Sequence, residues 1–359
     1  LKTCGRPPPP AGRAGGAWRP PMRRLAGRLP RSRVVCHLPP RRRCLSDFVA
    51  VGGNSDDDRG LRLAFAASCM PHPEKIKKGG EDSYFACSAS RSFGVADGVG
   101  GWAESGVDPG QFARRLLCLA HERIEAYGQN EADLQDAFLD AAARLQEEQM
   151  PGGTTALLGQ LNGTTLSLLN LGDSGAMLLR PALRTPPGAD RPLFFPRVVF
   201  RSSDQTHYFN CPYQLGSGNA PLEAPDFVRV RVRPGDLVIA ATDGVFDNLF
   251  DHQVQAIVAR HLGPAWMTRA GWQGKFGVER SGEAVVPHLS GLAVSITKQA
   301  QRVGQQEDHR DIITPFALSA HSEGLGFRGG KLDDTTVVVG LVCDLAGSEE
   351  KQQPLINNF

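Results

Sequence analysis

The sequence predicts an α+β fold built on antiparallel sheets. Short apolar runs of the kind found in β-strands occur in groups along the chain. Between these groups lie stretches in which apolar residues recur at the three- and four-residue spacing of an amphipathic helix. Because single strands do not alternate with single helices, the pattern argues against the repeated strand-helix-strand arrangement that produces a parallel sheet.

The first half of the chain supplies three strands and two helices. The stretches LRLAFAAS, SYFACS and SFGVAD each have the pattern of a short strand. A second helix is predicted over 131–149, before the Pro-Gly-Gly run at 151–153. The first helix is predicted by apolar residues at helical spacing, namely Phe112, Leu116, Ala120, Ile124 and Tyr127.

The second half returns to strands and then adds two more helices. We predict strands at TTALLGQL, TTLSLLNL, GAMLLR, RVVF, FVRVRV and DLVIAATD, a loop at RTPPGADRP, and a closing strand at TTVVVGLV. Asp251 is predicted to N-cap a helix that ends near His261. The glycine-rich segment 263–283 is predicted to be a mobile loop, and 284–302 to be a helix.

The two ends of the chain differ in composition from this domain. Residues 1–46 contain eleven Arg, one Lys and no acidic residue, which is typical of an organellar transit peptide. We predict that this segment is a disordered transit peptide, with a basic tail as the alternative, and that 47–60 is a linker. The folded domain is predicted over 61–343, followed by a tail over 344–359.

Charge, hydrophobicity and cysteine spacing exclude several classes of function. Without its first 46 residues the chain has 28 basic and 38 acidic residues, a net charge of 28 − 38 = −10, so no nucleic-acid partner is expected. No apolar run approaches the ~18 residues of a transmembrane helix. The eight cysteines include no C-x-x-C pair, so the sequence predicts free thiols rather than a zinc site or a redox motif.

Carboxylates stand at the ends of predicted strands in five separate places. They are Glu81-Asp82, Asp97, Asp173, Asp243 and Asp333-Asp334, most of them flanked by glycine. Each alone is more often a turn than a functional site. If all five converge they require cations, because two carboxylates about 5 Å apart repel by roughly 3 kcal/mol at an effective dielectric constant near 20. Oxygen ligands favour Mg²⁺ or Mn²⁺ over Zn²⁺, and an all-carboxylate two-metal site suits phosphoryl chemistry.

Six short motifs carry a resemblance to a known family. In chain order they are GGEDSYF, VADGVGGW, GGTTA, NLGDSG, TDGVFDNL and LDDTTVVV. Together they resemble the metal-dependent serine/threonine protein phosphatases of type 2C over roughly residues 61–343. The resemblance implies a four-layer α/β/β/α sandwich, in which two central, mainly antiparallel sheets are flanked by helices. The stretches HPEKIKKGGED, DQTHYFNCPYQLG and GGKLDDTTV resemble the organellar branch, which includes the mitochondrial phosphatase acting on coenzyme Q biosynthesis.

The resemblance also implies a role for each acid. Asp97 matches the residue that bridges two Mg²⁺ or Mn²⁺ ions, and Gly98 would bind one of them through its carbonyl. Asp243 and Asp333 match the acids on the second ion, and Glu81 matches an acid that holds this ion through water. The water between the ions would attack phosphorus directly, so the reaction would need no phosphoenzyme.

Further residues receive weaker assignments from the same resemblance. Asp82 is counted with the metal ligands as the neighbour of the glutamate, and Asp173 matches the acid that, with Asp243, binds a weaker third ion. Asp334 would support the ligands without touching the metal. Lys77 stands where the family has a basic residue that binds the phosphate, with Lys78 beside it.

One position departs from the family pattern. Many members have a histidine directly after the Asp-Gly pair, where it protonates the leaving group, but this chain has Val99. His207 is a possible substitute, although a packing role is the more frequent one for such a histidine. Because general acid catalysis contributes roughly 10²–10⁴-fold, we expect a slower enzyme rather than an inactive one.

The expected activity is hydrolysis of phosphoserine and phosphothreonine on proteins. A catalytically weak relative that binds phosphoproteins as a scaffold is the alternative, and a hydrolase of small phosphate esters is a third reading. The expected partners are phosphoproteins, with enzymes of organellar metabolism such as coenzyme Q biosynthesis as candidates. The expected location is the mitochondrion, or alternatively the chloroplast, and the expected oligomeric state is a monomer.

Overall fold

The computed structural model describes residues 60–127, 133–185, 187–188, 190, 193–216, 223–267, 286–344 and 355–356. The predicted transit peptide and the predicted linker up to residue 59 lie outside these residues. Most of the predicted mobile loop, from residue 268 onwards, also lies outside them.

The strands form two central sheets in which every strand pair is antiparallel. The five-stranded sheet has the order β1-β14-β13-β7-β8, and the six-stranded sheet has the order β12-β6-β5-β3-β2-β15. The pairs β9-β10 and β4-β11 form two small ribbons. The strands are β1 Leu61–Met70, β2 Asp82–Cys87, β3 Ser92–Asp97, β4 Gly153–Thr154, β5 Ala156–Asn162, β6 Thr165–Leu171, β7 Gly175–Arg184, β8 Leu193–Arg201, β9 Thr206–Tyr208, β10 Cys211–Pro212, β11 Leu215–Gly216, β12 Asp226–Arg231, β13 Leu237–Ala241, β14 Thr335–Asp344 and β15 Leu355–Ile356.

Six α-helices and three 3₁₀ helices are found in the described ranges. Asp108 caps α1 by accepting a hydrogen bond from the backbone N–H of Gly110, and Asp133 caps α2 in the same way. The α-helices are α1 Pro109–Ala126, α2 Leu134–Glu147, α3 Asp243–Phe246, α4 Asp251–Leu262, α5 Val286–Gly304 and α6 Pro315–Ser322. The 3₁₀ helices are Ile76–Lys78, Gly100–Ser105 and Pro264–Met267.

Three hydrophobic clusters show that the elements stack in four layers. One lies between the two sheets and includes Phe65 and Phe93. A second lies between the six-stranded sheet and the helices α1 and α2. The third lies between the five-stranded sheet and the helices α4 and α5. The predicted α+β sandwich of two antiparallel sheets flanked by helices is therefore confirmed.

Several local predictions differ from the structure. Asp251 is the first residue of α4 rather than its N-cap, which is Phe250. The backbone N–H of Phe250 donates a hydrogen bond of 2.9 Å to Gln253 Oε1 in the first turn of the helix. Within the predicted mobile loop, Pro264–Met267 forms a 3₁₀ helix whose Trp266 is buried and donates its indole N–H to the Gly235 carbonyl. An apolar ring and a satisfied N–H fix this part of the segment.

Two further differences concern the tail and the cysteines. Leu355–Ile356, in the predicted C-terminal tail, pairs with Phe85 and Ala86 as an edge strand of the six-stranded sheet. Cys69, Cys87, Cys118 and Cys343 are free thiols, as predicted. Cys211 is disulfide-bonded, so the prediction of free thiols was wrong for this residue.

None of the described helices is both long and apolar enough to cross a membrane.

Candidate metal centre

The six-stranded sheet brings two of the predicted acidic motifs together. The antiparallel register of β2 and β3 places Asp82 directly opposite Asp97. Beyond this pair, the backbone N–H of Gly98 donates to the Glu81 carbonyl at 3.1 Å. The start of β2 and the end of β3 therefore present Glu81, Asp82 and Asp97 at one edge of the sheet.

The five-stranded sheet delivers the other three motifs. Asp243 follows β13, Asp333 and Asp334 precede β14, and Asp173 precedes β7. These strands are direct neighbours in the sheet. A hydrogen bond of 2.8 Å from Thr242 Oγ1 to Asp82 Oδ2 connects the two sheets at this edge. All five strand-end motifs thus meet at one place in the fold.

Crowding of the carboxylates changes their pKa values. Burial alone would raise the pKa of Asp243, but the positive charge of Lys331 lowers it below its usual value. The pKa of Glu81 is raised by burial, which Lys75 only partly offsets. Burial first, and the negative charge of a neighbouring acid second, raise the pKa of Asp82, Asp97, Asp173 and Asp333.

Two lysines contact the carboxylates. Lys75 Nζ lies 2.6 Å from Glu81 Oε2, 3.2 Å from Asp334 Oδ2 and 3.6 Å from Asp333 Oδ1. Burial alone would lower the pKa of this lysine, but the surrounding carboxylates raise it well above its usual value. Lys75 therefore remains a cation and offsets part of the negative charge.

Lys331 has the same role on the other side of the cluster. Its Nζ lies 2.5 Å from Asp243 Oδ2, 2.7 Å from Asp247 Oδ2 and 3.5 Å from Asp333 Oδ2. Its pKa is likewise raised by the carboxylates, against the effect of burial. Sequence reasoning missed Lys75, Lys331 and Asp247, because none of them stands at a strand end. The only available signal was their position a few residues from an acidic motif.

The lysines that the sequence singled out lie elsewhere. Lys77 and Lys78 are exposed on the 3₁₀ turn, whereas Lys75 just before that turn reaches the acids. A phosphate-binding role for Lys77 stays a prediction. Lys78 also stays only a candidate supporting residue.

Asp334 holds a loop in place beside the centre. Its Oδ1 accepts a hydrogen bond from the backbone N–H of His72 at 2.6 Å, and its Oδ2 accepts one from the N–H of Glu81 at 2.9 Å. The side chain is almost fully buried. Asp334 thereby fixes both ends of the segment that carries Lys75, and its supporting role beside the metal ligands stays a prediction.

Glycine is required at two of the strand ends by neighbouring backbone. A Cβ on Gly98 would lie 2.7 Å from the backbone carbonyl of Pro109, the first residue of α1, and 2.9 Å from the backbone carbonyl oxygen of Glu81. A Cβ on Gly244 would lie 1.9 Å from the backbone carbonyl oxygen of Asp334. These glycines let the strand ends approach each other closely, whether or not a carbonyl also binds metal.

The donor set fits Mg²⁺ or Mn²⁺. It consists of carboxylate oxygens and the Gly98 carbonyl, the hard ligands that these ions prefer. Within the described ranges, Asp173 Oδ1 is buried and has no hydrogen-bond partner. Its lone pairs are therefore available to coordinate a cation. The carboxylates are spaced more widely than the ligands of a single ion, since no three have oxygens within 4.8 Å of one another among the described residues. The ammonium groups of Lys75 and Lys331 lie between them.

Neither Val99, at the position of the family histidine, nor His207, the proposed substitute, has the contacts of a general acid. Val99 has no titratable group and uses its backbone N–H to bond the Gly153 carbonyl at 2.9 Å. His207 Nε2 makes a close polar contact with Glu223 Oε1, and its ring packs at a tilt against Tyr213 with 4.6 Å between ring centroids. These contacts give His207 the packing role that the sequence analysis favoured.

A cleft of about 490 Å³ borders the centre at Asp173 and Asp247. One wall carries Phe246, over whose ring the guanidinium of Arg201 lies at 3.8 Å. The rest of the lining includes the acidic residues Asp204 and Asp251 and the aromatic residues Phe209, Phe250 and Phe316. The cleft leads from the carboxylates to the protein surface.

Comparison with known proteins places this arrangement among phosphatases. The chain is 36% identical over 292 residues to "Probable protein phosphatase 2C 55" of Arabidopsis thaliana, covering 81% of this chain and 53% of that protein. It is 32% identical to "Probable protein phosphatase 2C 26" of Arabidopsis thaliana, covering 79% of this chain and 84% of that protein. It is also 32% identical to "Protein phosphatase PTC7 homolog fig" of Drosophila grimshawi, covering 75% and 81%.

Other comparisons concern the fold and the share of the relatives that the chain covers. The solved structure of the photosystem II phosphatase PBCP has a TM-score of 0.57 at 24% identity, covering 78% of this chain and 98% of that one, which shows a shared fold. No protein-family model matches the chain. The chain spans about half the length of the first curated relatives it matches.

Proposed function

Because the chain belongs to the protein phosphatase 2C family, we propose that it hydrolyses phosphoserine and phosphothreonine on proteins. Members of this family are serine/threonine protein phosphatases that depend on Mg²⁺ or Mn²⁺. The observation that carries the proposal is the convergence of five strand-end acidic motifs from both sheets at one edge of the sandwich.

The carboxylates are the groups that would hold the ions. In this proposal Asp97, Asp243, Asp333 and the Gly98 carbonyl hold two ions, Glu81 assists, and Asp173 contributes to a weaker third. When bound, two such ions supply the Lewis acidity that activates water and stabilises the charge developing on the phosphoryl group. No side-chain nucleophile is required, so we propose a mechanism without a phosphoenzyme.

Other residues of the chain position these ligands. Thr242 donates to Asp82 and fixes its orientation. Asp334 holds the loop that carries Lys75. Lys75 and Lys331 offset part of the negative charge of the carboxylates and so reduce their mutual repulsion.

The cleft beside Asp173 suggests how a phosphopeptide binds. Its acids favour basic side chains, and its phenylalanine rings favour apolar side chains or cations, near the phosphorylated residue. We therefore infer that the preferred substrates are protein segments with a basic or apolar residue next to the phosphate. The scaffold alternative has no such support, because every acid that the resemblance assigns to the metals is present.

We further propose that the protein acts in an organelle, as a monomer. The support for the location is the acid-free, Arg-rich composition of residues 1–46. Candidate substrates are enzymes of organellar metabolism, including coenzyme Q biosynthesis. Import of the tagged full chain into isolated mitochondria and chloroplasts tests the location, and light scattering tests the monomer. Import by neither organelle would contradict the proposed location.

Phosphate release tests the proposed activity. The full chain is assayed on a phosphoserine peptide with EDTA, with Mg²⁺ and with Mn²⁺, and in parallel on a phosphosugar. We expect no release in EDTA, recovery with either ion, and a preference for the peptide. Full activity in EDTA would overturn the metal mechanism. A preference for the phosphosugar would instead favour a hydrolase of small phosphate esters.

A further inference from the structure

A second group of potential metal ligands lies at the other end of β2. Cys87 is the last residue of this strand, whereas His121 and Glu125 lie one turn apart on α1, which packs against it. One ligand atom from each residue lies within 4.8 Å of the other two. Because β2 rises by about 3.3 Å per residue, this group is about 17 Å from Asp82.

The distances within the group match those of a tetrahedral zinc site. Cys87 Sγ lies 3.8 Å from Glu125 Oε1, and His121 Nε2 lies 3.6 Å from the same oxygen. Zinc bonds of about 2.3 Å to sulfur, 2.0–2.1 Å to nitrogen and 2.0–2.2 Å to oxygen place tetrahedral ligands about 3.6 Å and 3.4 Å apart for these two pairs. These two pairs are therefore only about 0.2 Å wider than coordination requires, and the Cys87 sulfur lies within 4.8 Å of an imidazole nitrogen of His121.

His121 provides an independent sign of a ligand. The residue is only 5% exposed, and its Nε2 has no hydrogen-bond partner among the described residues. The imidazole ring stacks on Phe85 with 4.7 Å between centroids, which fixes its direction. A buried, oriented nitrogen without a hydrogen bond is unfavourable unless something binds it. Glu125, whose side chain is 49% exposed, leaves a path from solvent.

The ligand types select the metal. Thiolate and imidazole favour Zn²⁺ and similar ions over Mg²⁺ and Mn²⁺. Burial alone would raise the pKa of the Cys87 thiol, but His121 and Ser90 beside the sulfur lower it below its usual value.

We propose that Cys87, His121 and Glu125 form a zinc-binding site that is separate from the carboxylate centre. Three protein ligands leave a fourth position for water on the exposed side of Glu125. The ion would fasten the end of β2 to α1, and α1 begins beside Gly98 in the carboxylate centre. The proposal does not depend on the phosphatase activity.

The chain contains a matched control on the same helix. Cys118 Sγ lies 3.5 Å from Glu122 Oε1, also one helical turn away, but this exposed pair is not part of any three-ligand group in the described ranges. Cys69 lies near the carboxylate centre, but burial and the charge of Asp82 raise the pKa of its thiol to about 12, so it stays protonated.

Cobalt binding to the full chain tests the site. The protein is stripped with chelator, saturated with Mg²⁺ to fill the oxygen ligands, and titrated with Co²⁺ as a spectroscopic substitute for Zn²⁺. We expect about one equivalent to bind with a thiolate-to-cobalt charge-transfer band in wild type and in Cys118→Ser, and addition of Zn²⁺ to remove the band. We expect Cys87→Ser to lose the band, with at least about tenfold weaker Zn²⁺ binding.

A second variant covers a possible folding defect. Cys87 is buried, so its variant is checked by circular dichroism, while Glu125→Gln changes an exposed side chain and should fold normally. We expect Glu125→Gln to weaken Co²⁺ binding and shift the band. The proposal is overturned if wild type shows no thiolate band, if folded Cys87→Ser retains it, or if Glu125→Gln binds Co²⁺ unchanged.

Discussion

The two ends of strand β2 carry polar clusters of opposite character. At its start, Asp82 belongs to a group of carboxylates drawn from both sheets and offset by two lysines. At its end, Cys87 meets a histidine and a glutamate from a single helix, within 4.8 Å of one another. The first cluster offers only oxygen ligands, whereas the second offers sulfur, nitrogen and oxygen.

The difference in donor atoms would direct different metal ions to two sites in the same domain. Hard oxygen donors favour Mg²⁺ or Mn²⁺, and a thiolate with imidazole favours Zn²⁺. The clusters also differ in charge. Two ammonium groups offset part of the negative charge of the carboxylate cluster, whereas the three ligand types of the Cys87 cluster lie within 4.8 Å of one another.

The largest expected effect is that of Asp97→Asn on turnover. Asp97 is the proposed bridging ligand, so removal of its charge should weaken both ions of the carboxylate centre. We expect phosphopeptide turnover at saturating Mn²⁺ to fall by far more than tenfold, and Asp173→Asn to have a smaller effect. Steady-state rates of the folded variants give the measurement.

A surface acid supplies the control for this comparison. Asp136 pairs with Arg123 on the helical side of the molecule, and Asp136→Asn should leave turnover unchanged. Asp97→Asn should also keep the cobalt-thiolate band at Cys87. If the folded variant retained more than about a tenth of the activity, a change under roughly 1.4 kcal/mol, Asp97 would not be the bridging ligand.

Lys331→Gln should change stability in a way that depends on metal. The lysine offsets the charge of Asp243 and Asp247, and removing one partner of a buried ion pair costs about 3 kcal/mol. We expect the melting temperature in EDTA to fall by several degrees and the loss to be much smaller in Mn²⁺, which can replace the missing charge. Exposed Lys298 provides the control Lys298→Gln. An equal loss with and without Mn²⁺ would show that Lys331 does not share these carboxylates with the ions.

The raised pKa values predict a smaller, pH-dependent effect. Asp82, Asp97 and Asp333 have pKa values above the usual 3.8, so their contribution to metal-free stability is full below about pH 4 and is lost as pH rises through the folded pKa. The pKa of Asp243 is instead lowered, so the stability that this residue contributes is present above pH 3.8 and is lost only as pH falls further. We expect the difference in melting temperature between Mn²⁺ and EDTA to grow from about pH 5 to 7. A difference that is constant with pH would contradict this interpretation.

Much of the fold was predictable because the strands and helices have clear periodicity. The strand LRLAFAAS and the helix at 112–127 correspond to β1 and α1. The short helix α6 and the two-residue strands could not be predicted, because too few residues define a period and tertiary contacts decide them. The sequence analysis also placed Trp266 in a loop, because the glycine-rich sequence around it does not show that its aromatic ring reaches the core.

The two clusters differed in how far sequence could identify them. The acids of the carboxylate centre follow apolar strands and are flanked by glycine, so a local pattern marks each one. Lys75 and Lys331 lack such a pattern, since only the fold brings their long side chains to the acids. Cys87 and His121 are 34 positions apart on different elements, and the absence of C-x-x-C spacing argued against a zinc site altogether.

The smallest expected effect follows from where the imidazoles lie. The Cys87 cluster contains His121, whereas the carboxylate centre has Val99 at the position where the resemblance leads us to expect a histidine. Val99 has an ordinary extended backbone, φ −65° and ψ 107°, which a histidine can adopt. Val99→His should therefore fold normally and place a proton donor after the Gly98 ligand.

We expect Val99→His to raise the rate on a phosphoserine peptide and to leave the rate on an aryl phosphate almost unchanged. Serine alkoxide needs a proton to depart, but an aryl oxide leaves without one, so only the first reaction gains from a general acid. The gain should be well below the full ~10²–10⁴-fold, because the surroundings of Val99 are not built to hold an imidazole. The measurement is the ratio of the two rates at saturating Mn²⁺ across pH. An equal change on both substrates would mean that residue 99 affects metal binding rather than the leaving group.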